Sequence, residues 1–258
     1  MRFKMLFHTF GDENKKAIIF IHGMLTPWQI WQSSINHFSK SYFVIVPELD
    51  AHTENSVTEF ISIENEAAQI KEYLKKLCHK EIFAICGLSM GGRIAAVLAG
   101  LSEINTEYLV LDGAPLLPTS SILKRIMIRS YLNIIRKTKK RDPKILDSFK
   151  KNFLPEKHLE NYLKIADHIE EQSLINIIEN VFSKFTFTKL DDNYKILFMH
   201  GTKVNESISK KSAIKVKRFN PQTEIRCYNG YAHAQLACFE EEKWIGEVCD
   251  FVADEKKN

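Results

Sequence analysis

The chain has 258 residues, enough for one large α/β domain with an inserted subdomain and a substantial core. Its apolar share of 45% and charged share of 26% are ordinary for a globular protein and exclude the disordered and fibrous classes. A formal net charge of +4 is too small to argue for nucleic acid, and no apolar run approaches the ~20 residues of a membrane-spanning helix. Residues 1–10 contain neither a long apolar segment nor a small-residue cleavage site, which argues against an exported precursor. Five cysteines (Cys78, Cys86, Cys227, Cys238, Cys249) are odd in number, scattered and free of any C-x-x-C pair. That pattern fits reduced thiols in a cytoplasmic protein.

In chain order, residues 2–10 read as an opening strand and 11–16 as a turn. Residues 17–21 form a short, continuously apolar run, as expected of a strand buried on both faces of a parallel sheet. Five similar runs follow at 42–46, 82–86, 108–112, 195–199 and 224–228. Between them apolar residues recur at three or four: Trp28, Trp31, Ile35 and Phe38; then Phe60, Ile63, Ala67, Ile70, Leu74 and Leu77; then Ile94, Val97, Leu98 and Leu101. A last helix carries Trp244, Ile245, Val248, Phe251 and Val252 ahead of a solvated tail at 254–258. This alternation predicts an α/β fold: a mostly parallel twisted sheet with helices on both faces.

One interval breaks the alternation. From 117 to 190 there is helical patterning only, over 122–135, 145–154, 159–169 and 174–185, punctuated by Pro143 and Pro155. That is too long for a plain loop. It predicts a helical lid, residues 117–190, inserted into a core of 1–116 and 191–258 and covering the sheet edge where open α/β sheets bind ligands.

The chemistry centres on Gly87-Leu-Ser-Met-Gly91, where the apolar run 82–86 meets the helical pattern that begins at Arg93. A serine on such a strand-to-helix turn has its hydroxyl held above the sheet edge and the next N–H aimed at the same spot. Gly87 and Gly91 let strand and helix approach around a strained serine backbone. Ser89 is therefore the candidate nucleophile. It needs a base, an acid and oxyanion donors. In such a sheet the order is Ser, acid, His, and among the nine histidines only His233 follows the last strand. The loop after the first central strand, His22-Gly23-Met24, allows the Met24 N–H to join the Met90 N–H as oxyanion donors. His22, His52 and His200 are out of order and read as structural, and Cys86 reads as a small core residue.

These residues resemble the α/β-hydrolase superfamily. The carriers are His22-Gly23, Gly87-Leu-Ser-Met-Gly91 and Gly230-Tyr-Ala-His233, together with Pro47-Glu-Leu-Asp-Ala-His52, which resembles the family's Pro-Asp-x-x-Gly-His loop with Ala51 at the glycine. The resemblance covers nearly the whole chain. It implies an acyl-enzyme at Ser89, a small-molecule ester or thioester substrate, and no metal or organic cofactor. It also implies an aspartate shortly after the strand that follows the lid, where this chain has Val204. Two carboxylates can take over. Asp112 closes the strand 108–112, where some branches, haloalkane dehalogenases among them, place their acid; burying it there is costly without a partner, and His233 would supply one. Asp112 is the favoured acid, and Glu206, two residues past Val204, is the alternative.

Between Lys124 and Lys150 lie ten Lys/Arg against Asp142 and Asp147. This stretch reads as a solvated helix face, as a site for an anionic substrate group, or as a weak contact with an acidic membrane surface; no nucleic-acid-binding motif accompanies it. Two other functions stay open on the same fold: C–C cleavage or elimination on a carboxylated metabolite, and ligand binding without catalysis.

Overall fold

The computed structural model describes residues 5–77, 81–101 and 103–253, so Cys78, residues 2–4 of the predicted first strand and the tail 254–258 lie outside the described part. Seven strands form one sheet: β1 (Leu6–Phe10), β2 (Ala17–Ile21), β3 (Phe43–Glu48), β4 (Ile82–Leu88), β5 (Thr106–Asp112), β6 (Lys195–Gly201) and β7 (Thr223–Tyr228). Their spatial order is β1-β3-β2-β4-β5-β6-β7. β1 runs antiparallel to β3, and every other neighbouring pair is parallel. Every residue of β2 and β3 is buried, which is why these strands read as unbroken apolar runs.

The helices are α1 (Gln32–Phe38), α2 (Ile63–Lys76), α3 (Met90–Ala99), α4 (Ser121–Lys139), α5 (Pro143–Asn152), α6 (Leu159–His168), α7 (Glu171–Val181), α8 (Ser207–Phe219), α9 (Gln235–Phe239) and α10 (Glu241–Ala253). α1 and α10 pack together on one face of the sheet, where Phe20 of β2 meets Trp31, Phe38 and Trp244. α2 and α3 pack together on the other. The helix predicted over 60–77 starts only at Ile63, because the Ser62 side chain caps it by accepting from the Asn65 N–H at 3.1 Å. α8 was not anticipated: its buried face is Ser209, Ser212, Ala213 and Val216, too polar to show apolar periodicity.

Helices α4 to α7 stand between β5 and β6 in the chain. Arg93 of α3 fastens both ends of this insertion. Its buried guanidinium donates to the Pro115 carbonyl (3.1 Å) at one end, and to the Val181 (3.0 Å) and Ser183 (3.2 Å) carbonyls and the Ser183 hydroxyl (2.9 Å) at the other. Burial lowers the Arg93 pKa to about 10, which leaves it charged at neutral pH. Much of the basic stretch is spent on neighbouring helices: Lys124 pairs with Glu179, Arg136 with both carboxylate oxygens of Glu171 (2.6 and 2.7 Å), and Arg141 with both of Asp167 (2.8 and 2.7 Å). No described helix is long and apolar enough to cross a membrane.

Candidate active site

β4 ends at Leu88, and Ser89 turns the chain into α3 with φ 53° and ψ −114°, a strained conformation for a residue with a Cβ. The two flanking glycines make the turn possible. A Cβ on Gly87 would stand 2.3 Å from the Gly91 carbonyl oxygen, and one on Gly91 would stand 2.2 Å from that of Ile21. The same closeness brings the loop after β2 against the serine. The Ser89 N–H donates to the Asp112 carbonyl at 2.7 Å, which ties the turn to β5.

His233 lies on the loop between β7 and α9. Its Nε2 is 2.8 Å from Ser89 Oγ, and its Nδ1 is 2.9 Å from Glu206 Oε1. Nδ1–H therefore donates to the carboxylate, leaving Nε2 to accept from the serine hydroxyl. The loop is seated by the His233 N–H donating to Asn205 Oδ1 at 3.3 Å, an anchor the sequence reading did not single out. Burial opposes the imidazolium, but the Glu206 hydrogen bond and charge, with Asp112 behind, outweigh it and raise the His233 pKa above its ordinary value.

The expectation that Asp112 orients His233 requires correction. Glu206 occupies that position, and Asp112 Oδ2 is buried with no hydrogen-bond partner among the described residues. The cause is a single 3-10 turn, Val204–Glu206, directly after β6. At about three residues per turn, positions two apart face different ways. Val204 is 90% exposed while Glu206 is 1% exposed and aimed at the imidazole. Burial first, then the Glu206 charge, push the Asp112 pKa up to about 7.

Met24 follows Gly23, whose own Cβ would come 3.5 Å from Ser89 Cβ, and Met90 is the first residue of α3. Neither the Met24 nor the Met90 N–H donates to a protein acceptor among the described residues. The loop that carries Met24 is pinned by two neutral histidines. His22 Nδ1–H donates to the Gly23 carbonyl (3.0 Å) while its Nε2 accepts from the Leu49 N–H (3.2 Å). His52 Nδ1–H donates to the Asp50 carbonyl (2.9 Å) while its Nε2 accepts from the Leu25 N–H (2.9 Å). Burial, first of all, lowers their pKa values to about 3 and about 4. His200 Nδ1–H donates to the Gly201 carbonyl at 2.7 Å, and Cys86 is buried in β4 with its thiol pKa pushed up.

Ser89 and His233 open into a cavity of about 350 Å³ between the sheet edge and the insertion, walled by Met24, Met127, Tyr131, Phe153, Phe182 and Ile208 among others. Among the described residues that line it there is no Lys, Arg, Asp or Glu; its titratable side chains are His233 and the Tyr131 phenol. Only the general location of these wall residues was legible in the sequence, because the helices that present them pack by tertiary contact.

Residues 16–133 match the family model described as alpha/beta hydrolase fold. Monoacylglycerol lipase abhd6-A of Xenopus laevis is 25% identical over 113 residues, 42% of this chain and 34% of that protein. A Haemophilus influenzae protein provisionally named 2-succinyl-6-hydroxy-2,4-cyclohexadiene-1-carboxylate synthase is 30% identical over 102 residues, 38% of this chain and 41% of that protein. The matches thus span less than half the length of these relatives. A hydrolase structure from Pseudomonas aeruginosa PA01 superposes with a TM-score of 0.75 at 15% identity, over 96% of this chain and 94% of that one.

Proposed function

The chain belongs to the α/β-hydrolase superfamily, and on that footing we propose that it is a serine hydrolase that cleaves a carboxylic ester or thioester with an apolar acyl group. The observation that carries this reading is the hydrogen-bonded run Ser89–His233–Glu206 opening into an uncharged cavity. His233 Nε2 takes the Ser89 proton as Oγ attacks the carbonyl carbon. Glu206 holds the ring and balances the imidazolium charge. The Met24 and Met90 N–H groups receive the oxyanion. The tetrahedral intermediate collapses as His233 returns the proton to the leaving oxygen or sulfur. Water, activated by the same imidazole, then releases the acid and restores Ser89. The insertion acts as a lid over the acyl group.

The uncharged lining favours esters over the carboxylated metabolites of C–C cleavage or elimination, since a substrate carboxylate would be buried there with no cation to pair it. Hydrolysis of p-nitrophenyl butyrate by wild type, Ser89→Ala and His233→Ala tests the proposal. Each substitution should lower kcat/KM by about 10⁴-fold or more. Retention of activity in Ser89→Ala would overturn it.

A further inference from the structure

The cavity at Ser89 has a neighbour. A second pocket of about 310 Å³, more open to solvent than the first, lies beyond Tyr131, Asn152 and Phe153, residues that line both spaces and so form the wall between them. Its floor is Leu25, Ile134, Ile145 and Phe149; Ser130, Ser148 and Asn152 are exposed and form its rim. We propose that this second chamber is an acyl-chain subsite, reached past Phe153, which receives the distal part of a straight apolar chain whose carbonyl sits at Ser89. The inference rests on the ester-hydrolase reading above and adds to it the substrate's chain length and path.

Three observations support it. Neither chamber has a Lys, Arg, Asp or Glu in its described lining, so the whole path suits methylene groups, whose transfer from water is favourable. The first chamber alone stands at the small end of the range for ligand sites, about 300–1,000 Å³, and the two joined reach its middle. The helix that carries most of the wall is lightly buried: Phe149 is the one buried residue of α5. Phe153 follows the end of that helix with φ −125° and ψ −46° and packs on the Phe149 ring at 4.7 Å. In this proposal a rotation of Phe153, which lies on no strand of the sheet, joins the chambers. Leu25 directly follows Met24, so the floor of the subsite is fixed relative to the oxyanion donors.

The test compares p-nitrophenyl butyrate, octanoate and dodecanoate. Ile145→Trp fills the second chamber without touching the first. Ser148→Phe does so from the exposed rim, where folding is insensitive to the change. Both should keep butyrate kcat/KM within about twofold and lose tenfold or more on dodecanoate, whereas Phe153→Ala should shift preference toward the longer chains. Blocking variants whose chain-length profile parallels wild type would overturn the subsite. Calorimetric binding of methyl decanoate in a Ser89→Ala background reads the chamber without turnover: Ile145→Trp should weaken it tenfold or more, and equal binding overturns the subsite. A wild type that hydrolyses no butyrate but shows this loss of binding would refute the hydrolase reading and leave the subsite standing.

Discussion

His233 stands between two carboxyl groups with different roles. Glu206 accepts its Nδ1–H at 2.9 Å, while Asp112 holds a buried oxygen with no partner among the described residues. Glu206 and Asp112 raise the His233 pKa against burial; if His233 is the base of the proposed mechanism it works only when neutral, and activity should rise with pH along a limb centred above the ordinary value of about 6.5. Glu206→Gln removes the main raising influence and leaves burial. Its limb should move to lower pH, and its plateau should fall by about 10²–10⁴-fold. Asp112→Asn should cost less than about tenfold. A pH–rate profile of the two variants checks this, and the reverse ranking would restore Asp112 as the acid. Asp112 also leaves a mark on stability. With its folded pKa raised to about 7, its contribution is full below the ordinary aspartate range and is lost as pH rises through about 7. Asp112→Asn should therefore flatten the fall of Tm over that window. Ser89 and His233 could be brought together from sequence because the motif, its flanking elements and chain order all agreed. The carboxylate that partners His233 could not be fixed, because a 3-10 turn that reorients two residues leaves no trace in spacing.

At the scale of elements, the loop after β3 shows how a departure from the family pattern is absorbed. Ala51 stands where the resembling motif has glycine, and it takes φ 63° in the left-handed region. A methyl tolerates that conformation at a cost of about 1–2 kcal/mol, and a β-branched side chain does not. Ala51→Gly should stay within about 1 kcal/mol of wild type, because relief of strain is offset by lost methyl burial and a looser unfolded chain. Ala51→Val should cost more than about 2 kcal/mol and lower Tm by roughly 5 °C or more. Denaturant melts of the pair decide the point, and equal stability of Val and Ala would contradict it. The strands were legible because double burial forces continuous apolar runs. α8 was not, because its inner face is held by hydroxyls: Ser209 donates to the Gly113 carbonyl at 2.9 Å, and Ser212 accepts from the Leu116 N–H at 2.9 Å. Its apolar Ile214 is 55% exposed, which scrambles the pattern further.

For the whole molecule, Arg93 joins α3, the helix that follows Ser89, to both ends of the helical insertion. Arg93→Met keeps the packing volume and leaves those carbonyls without a donor. It should destabilise the fold by about 3 kcal/mol. It should also speed limited proteolysis at 115–120 and 181–190 more than elsewhere, as mapped by mass spectrometry; uniform loss of protection would contradict this fastening role. The strand-free interval was visible in the sequence as a break in alternation. The fate of its charges was not, since Glu171, Asp167 and Glu179 answer the basic residues of α4 and the α4–α5 turn from other helices.

The central claim is that Ser89 is an activated nucleophile, and the most direct measurement is intact-protein mass spectrometry after treatment with a fluorophosphonate. The account predicts a single adduct on wild type, mapped to Ser89, none on Ser89→Ala, and slow labelling of His233→Ala and Glu206→Gln. Folded wild type that stays unlabelled, or an adduct that persists in Ser89→Ala, would contradict it.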